Sequence, residues 1–308
     1  MRLALRCGYI LALLSVVTAG SQRPATAASH FLVVEGIGGT QVYAERFREQ
    51  VESLLPVLRR TAGDDALVRV LAGGEATAGR VEAALKEVAR AVVPGDAVAV
   101  FLIGHGSHDG RRYKFNIPGP DFTDRQLGAW LDEVPAARQL VVSTTSSSGG
   151  ALEALKSPRR IVITATKNGR ERNATVFGRY WVEAFTAAAA DTDKNESISA
   201  LEAFRYAEDK VKSHYADNKR LATEHPQIQG ERAGSFVLSR LGAAAVLAAD
   251  PRRRGLLDRR EELERRIADL TLRKDGMSQN EYLDALQGLL LQLAELQEEI
   301  AAGAGEGE

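Results

Sequence analysis

The 308-residue chain contains one cysteine, Cys7. A single thiol excludes a disulfide framework and any cysteine-rich zinc module. Excess charge is missing as well: 40 Lys and Arg stand against 41 Asp and Glu, for a net charge of -1. No overall basic field is present to attract nucleic acid. Long apolar runs are also scarce. The most marked, Gly8 to Ala19, is too short for a comfortable membrane span. What is there is 44% hydrophobic and 26% charged residues, ordinary for a folded protein and unlike a disordered, collagen-like or multi-span membrane chain. The length suffices to bury a sizeable core and, at roughly 150 residues per domain, suggests about two domains.

The short apolar run reads as part of an address. Arg2 and Arg6 give a positive start, and Ala25-Thr26-Ala27 is an A-x-A cleavage site. Residues 1–28 therefore read as a signal peptide cleaved near Ala27, with a retained anchor as the alternative. Cleavage removes Cys7 and leaves a mature chain with no thiol and no transmembrane span. A cysteine-free exported protein suits a bacterial periplasm or the outside, where free thiols oxidise. The expected location is thus periplasmic or secreted.

Residues 29–241 alternate strand and helix signals. Phe31 to Val34 is a short apolar run ended by Gly36-Ile37-Gly38-Gly39, a strand and turn. Thr40 can cap a helix in which Tyr43, Phe47, Val51 and Leu54 recur at helical spacing. A strand over 67–71, a helix over 77–92 and a nearly uncharged strand over 96–103 follow. Next come a helix opening at Thr123 and strands over 140–142 and 160–164. This alternation predicts an α/β fold: a mostly parallel sheet covered by helices on both faces. Arg252-Arg253-Arg254 after Pro251 reads as a basic, solvated joint, and no stacking aromatics accompany it. Residues 256–300 read as an antiparallel helical hairpin. Gly276 ends its first helix, and a Ser278/Glu281 capping box opens the second. Tyr282, Leu286, Leu289, Leu293, Leu296 and Ile300 give that helix a coiled-coil-like stripe. The stripe can pack internally or on a coiled-coil partner. Residues 301–308 read as a disordered polar tail.

The strongest local motif runs from Asp191 to Glu202. Oxygen-bearing side chains fall at loop positions 1, 3, 5, 7, 9 and 12: Asp191, Asp193, Asn195, Ser197, Ser199 and Glu202. A hard cation such as calcium takes six to eight oxygens from a tight loop. Asp191, Asp193 and Asn195 would offer side-chain oxygens, Ser197 its carbonyl, Ser199 a water-mediated contact and Glu202 two oxygens. Helices expected over 174–189 and 201–212 flank it. The loop resembles an EF-hand-type calcium loop, with one departure: position 6 is Glu196, where the motif wants glycine for a φ > 0 turn. That predicts weak affinity and tighter binding when glycine is restored. A polar helix-helix loop with chance spacing is the alternative.

Two further segments lie at strand ends, where open α/β sheets place their chemistry. Gly104-His105-Gly106-Ser107-His108-Asp109-Gly110 follows the apolar strand at 98–103. Ser143-Thr144-Thr145-Ser146-Ser147-Ser148-Gly149-Gly150 follows the strand at 140–142. An imidazole base, a hydroxyl nucleophile and glycine N–H groups facing an oxyanion would meet there. On these residues the chain resembles the caspase-like superfamily of cysteine peptidases, nearest the legumain type, over roughly residues 31–230. It is similar to a bacterial branch with further landmarks at Tyr113-Lys114-Phe115-Asn116, Gly169 to Thr175 and Thr223-Glu224-His225-Pro226. The resemblance implies His105 as base, Gly106 as oxyanion donor, and a cysteine nucleophile at the position held here by Ser146. The acidic position before it holds Thr144. With no mature cysteine, the thiolate mechanism is lost, and a hydroxyl needs a well-oriented base. Two readings stay open. One is a silent peptidase-like module holding a peptide or protein partner; the other is a hydrolase using Ser146 with His105. Which of Ser146, Ser147 and Ser148 faces His105 is open too, and the sequence shows no clear third group to hold the ring, Asp109 being close in sequence only.

Other signals are weaker. Gly36 to Gly39 lacks the third glycine of a dinucleotide loop and reads as a tight turn. His105 and His108 lack a third metal ligand in any motif. Glu171, Arg172 and Asn173 read equally as a carboxylate clamp or as a loop network.

Overall fold

The structure is a computed structural model describing residues 27–62, 66–93 and 95–304. The expected signal peptide at 1–28 falls almost wholly outside that range, and residues 305–308 of the expected tail do too. In chain order the elements are β1 (Ser29–Glu35), α1 (Gln41–Ala62), β2 (Val68–Leu71), α2 (Ala78–Ala91), β3 (Ala97–Ile103), β4 (Gly106–His108), β5 (Tyr113–Phe115) and β6 (Phe122–Thr123). Then follow α3 (Asp124–Asp132), β7 (Arg138–Ser143), α4 (Leu152–Leu155), β8 (Arg160–Thr164), α5 (Phe177–Ala184), β9 (Ser197–Ser199) and α6 (Ala200–Asp217). The chain continues with β10 (Gln227–Gln229), β11 (Val237–Arg240), α7 (Gly242–Ala249), α8 (Pro251–Leu272) and α9 (Gln279–Ala304).

Six strands form the central sheet in the order β10-β8-β7-β3-β1-β2, parallel except for the edge strand β10. Side chains of a strand alternate between faces, and both faces here are apolar. Phe31, Val33, Phe101, Leu140, Val142 and Ile163 pack with α1, α5 and α6 on one side. Leu32, Val34, Val100, Leu102, Val141 and Val162 pack with α2 and α3 on the other. Each such fully buried aliphatic or aromatic side chain contributes about 1.5–3 kcal/mol. That two-faced burial explains why the strands read as continuous apolar runs. The fold is mixed α/β, a mostly parallel sheet between helical layers, as the alternation predicts.

Strand order reverses between β1 and β3, the kind of position at whose carboxyl ends open α/β sheets place their binding sites. A small antiparallel sheet, β4-β5-β6, folds beside it. Helix α3 starts on a capping box in which Thr123 accepts from the Gln126 N–H and Gln126 caps Thr123 in return.

Helix α5 is shorter than the expected 174–189. Thr175 Oγ1 donates to the Thr144 carbonyl at 2.5 Å, tying the preceding loop to the end of β7. The Glu224 carboxylate then accepts from Val176 N (2.7 Å) and Phe177 N (3.1 Å) and fixes the start of the helix.

The C-terminal region departs from the expected joint. Pro251 opens a continuous helix, as proline can at a first helical position, so Arg252 to Arg254 lie in the first turn of α8 rather than in a linker. Ser278 and Glu281 form the expected capping box at the start of α9. Leu263 and Leu270 of α8 pack on Leu289 and Leu296 of α9, with Ile267, Leu286, Leu293 and Ile300 around them. The stripe that could face another chain is thus filled by the other arm of the hairpin. Helix α9 runs past Ile300 to Ala304. Arg240 in β11 pairs with Asp258 (3.1 Å) and Glu261 (2.7 Å) of α8, fastening the hairpin to the α/β body. No helix among the described residues is long and apolar enough to cross a membrane.

Candidate functional site

His105 lies at the β1/β3 switch, just past the end of β3. Gly104 lets the loop turn tightly out of β3: a Cβ there would lie 3.0 Å from Gly36 Cα. The imidazole sits edge-on to Tyr43 and Phe47, with ring centroids 4.7 and 5.0 Å away. Its Nε2 lies 3.2 Å from the Gly38 carbonyl. A carbonyl only accepts, so Nε2 carries the proton and Nδ1 is the basic nitrogen of the neutral ring. Burial lowers the His105 pKa, the Gly38 hydrogen bond partly opposes this, and the Arg46 charge adds to the lowering.

Ser146 stands beside Gly106, at the end of neighbouring β7. Its Oγ donates to the Gly106 carbonyl at 2.8 Å and accepts from the Gly106 N–H at 3.4 Å. Gly106 has no room for a side chain: a Cβ would come within 2.5 Å of Thr145 Oγ1 and 2.6 Å of Ser146 O. Ser147 is fully buried at a left-handed φ of 57°, its Oγ has no hydrogen-bond partner, and its N–H donates to the Glu171 carbonyl at 2.8 Å. Ser148 is buried too, and its Oγ accepts from Thr166 N at 3.2 Å. The strand ends meet as expected, but none of the three hydroxyls hydrogen-bonds to His105. Asp109 does not orient the ring either. It accepts from Arg111 N and Arg112 N and pairs with Lys114, and these bonds hold its carboxyl well below the usual range. His108 lies apart from His105, packed so closely on Gly150 and Gly169 that a Cβ on either would strike its ring.

Three groups in the landmark segments gain their partners only through the fold. Tyr113 is buried with its hydroxyl 2.7 Å from Thr145 Oγ1 and 3.0 Å from Ser143 Oγ, and burial pushes its pKa up to about 12. Glu171 Oε1 lies 2.5 Å from His225 Nδ1, joining two landmarks 54 residues apart. Glu171 is therefore a structural partner of His225, Lys167 and the backbone, rather than a free clamp. Glu224 is buried and raised in pKa by that burial, against the backbone bonds it accepts from Val176 and Phe177.

The loop at 191–202 brings carboxylate oxygens of Asp191, Asp193 and Glu202 within 4.8 Å of one another. The Asp191 carboxylate also accepts from Asn195 N and Glu196 N, both at 3.1 Å, which draws the loop into a ring. Asn195 donates its amide to Asp193 and accepts from Ser197 N. The hydroxyls of the two serines have other partners, which leaves open the expected contacts through the Ser197 carbonyl and a water at Ser199. Ser197 Oγ accepts from Arg260 Nη2 of α8 at 2.8 Å. Ser199 caps α6 and donates its hydroxyl to Glu202 Oε2 at 2.8 Å. Glu202 holds Thr192 on one oxygen and Ser199 on the other, so bidentate ligation requires it to release some of these donors. Burial raises the Glu202 pKa, but the bonds from Ser199 and Thr192 outweigh it and the net direction is down. Asp193 is raised, first by burial and then by the Glu202 charge. Three acidic groups in one ring, with oxygen donors throughout, fit a hard divalent cation. Glu196 adopts φ 60°, the conformation glycine would take without strain.

No family model matches the chain, and no curated protein is similar to it in sequence. Among solved structures it is similar to protein GSU0716 from Geobacter sulfurreducens, at 12% identity and a TM-score of 0.46, covering 70% of this chain and 100% of that one. A likeness at that level carries no argument about function.

Proposed function

We propose that this chain is an exported, caspase-like module of the legumain type whose peptidase site is silent, with a calcium-binding loop that steadies it and a cleft that holds a peptide partner. The observation that carries the reading is the separation of base and hydroxyl: Ser146 Oγ gives its proton to the Gly106 carbonyl, while His105 turns its Nε2–H to Gly38. A serine nucleophile needs its hydroxyl bonded to the base, and the oxyanion hole needs a free N–H. Here the Gly106 N–H points at Ser146 itself. Support for the kinship comes from the His105-Gly106 and Ser146-to-Gly150 segments following the adjacent parallel strands β3 and β7. Calcium, when bound, would supply positive charge and cross-linking to the loop through Asp191, Asp193 and Glu202, with no part in bond cleavage.

The competing reading, a hydrolase using Ser146 and His105, is favoured by one feature. Burial keeps the His105 ring in its basic form at neutral pH. Incubation of the purified protein with calcium and a diverse peptide library separates the two. Peptide binding without turnover fits the silent module. Turnover abolished by both Ser146→Ala and His105→Ala overturns it.

A further inference from the structure

At the opposite edge of the sheet, where β7 and β8 begin and β10 ends, a basin of about 550 Å³ opens between the strand starts. It lies roughly 20 Å from His105, given about 3.3 Å per strand residue. Its volume falls in the range of small-molecule sites, about 300–1,000 Å³. Arg138, Lys156, Arg159, Arg160 and Arg232 line it, against one carboxylate, Glu231.

Two of these cations are already engaged. Arg160 is held by Gln139, the Leu155 carbonyl and Asp132. Arg232 pairs with Asp269 at 2.7 Å. Arg138, Lys156 and Arg159 form no ion pair among the described residues, and Arg159 spends one nitrogen on the Asp132 carbonyl at 2.9 Å. Arg138 is deeply placed, with the charges of Glu261, Glu262 and Asp96 partly offsetting its burial and Arg265 adding to it. Its guanidinium lies over Phe236, 5.7 Å from the ring centroid, and makes one long bond to the Ser235 carbonyl at 3.4 Å. Its Nε is buried without a partner. Burial also pushes its pKa down to about 10. Across the basin, Gln229 Oε1 is likewise buried without a donor. A desolvated cation and an unfilled acceptor both carry a free-energy cost that a ligand can relieve.

We propose that this basin binds a sugar phosphate. The phosphomonoester supplies a doubly charged group with three acceptor oxygens for the Arg138 fork, Lys156 and Arg159. Sugar hydroxyls offer donors to Gln229 Oε1 once its amide, now out of solvent contact, turns toward the basin, and the cavity has volume for the ring. A bounded concave basin suits a small anion better than a polyanionic strand, which requires an extended basic stripe.

The test is calorimetry on the full chain with glucose 6-phosphate, inorganic phosphate and glucose. Saturable one-to-one binding of glucose 6-phosphate is expected, with inorganic phosphate about tenfold weaker and glucose giving no heat. The K156E/R159E pair falls at an exposed and a half-buried position, and circular dichroism must first show that it keeps the parent's fold. It should weaken glucose 6-phosphate at least about tenfold. Arg138→Lys keeps the charge and loses the fork, with a similar loss expected. Absence of saturable binding at millimolar glucose 6-phosphate overturns the proposal. So does equal affinity in the folded double variant. Inorganic phosphate binding as tightly as the ester removes the sugar from the assignment.

Discussion

The carboxylate of Glu196 closes the amino-terminal end of α7, with Oε2 2.7 Å from Ala244 N. Leu241 stands at the N-cap of that helix and has no polar side chain to offer, so Glu196, 48 positions before Ala244, does the capping. The same Glu196 occupies the loop position that a calcium motif gives to glycine. Its left-handed backbone costs on the order of 1 kcal/mol, and the cap offsets about the same amount.

That relationship revises the expectation for Glu196→Gly. The turn is already left-handed, so glycine relieves strain in the free and the loaded loop alike, and calcium affinity should change little. Stability should also move little, because strain relief and loss of the cap oppose one another. Glu196→Ala keeps the strain and loses the cap, and should destabilise by about 1 kcal/mol. Thermal melts of the two variants side by side check this.

Asp193 gives the cleanest handle on the cation. Its pKa is raised by burial and by the charges of Glu202 and Asp191, so its ionised form is unfavourable in the metal-free loop. Asp193→Asn should raise the melting temperature in a chelator and abolish the rise expected of the parent in millimolar calcium. Glu202→Gln should also remove calcium binding by calorimetry. It should destabilise the chelated protein by about 1–2 kcal/mol as well, since an amide cannot accept all the donors from Thr192 and Ser199. No heat and no thermal shift with the parent protein would retire the loop assignment.

His105 makes a pH prediction. Its folded pKa is lowered, so below the ordinary histidine value of about 6.5 the unfolded chain takes up the proton before the folded one. Stability is then full above that pH and falls as pH drops through the window beneath it. His105→Gln should flatten this part of the stability profile, read from denaturant midpoints between pH 5 and pH 7.

Gly106→Ala should be strongly destabilising. The new methyl would overlap Thr145 Oγ1, Tyr113 Cε2 and Ser146 O, and overpacking of this kind costs about 1–3 kcal/mol or more. A urea midpoint close to that of the parent protein would contradict the tight approach of β4 to the end of β7.

The central strands were legible because both their faces are buried, which writes them as uninterrupted apolar runs such as Val98 to Ile103. Helix starts were legible where a hydroxyl caps them, at Thr123 and Ser278. The three-residue strands β4, β5, β9 and β10 were not, since so few residues carry no period. In the candidate site, sequence placed His105 and Ser146 at adjacent strand ends but not the direction of either side chain. The His105 ring is set by Gly38, Tyr43 and Phe47, and the Ser146 hydroxyl by Gly106, all from other elements. The meeting of Glu171 with His225 is likewise a product of the fold and has no trace in spacing. The loop at 191–202 was read from its oxygens alone, while its ties to α7 and α8 became visible only in three dimensions.

Those ties bear on how the protein comes apart. Arg260 is a buried cation whose guanidinium rests on Ser197, and Arg240 is a buried cation neutralised from α8. A chain cut ahead of Pro251 would strand Arg240 without its counter-charges and open Ser197 to water. The hairpin is therefore not a detachable appendage, and heating should melt body and hairpin together in a single calorimetric transition.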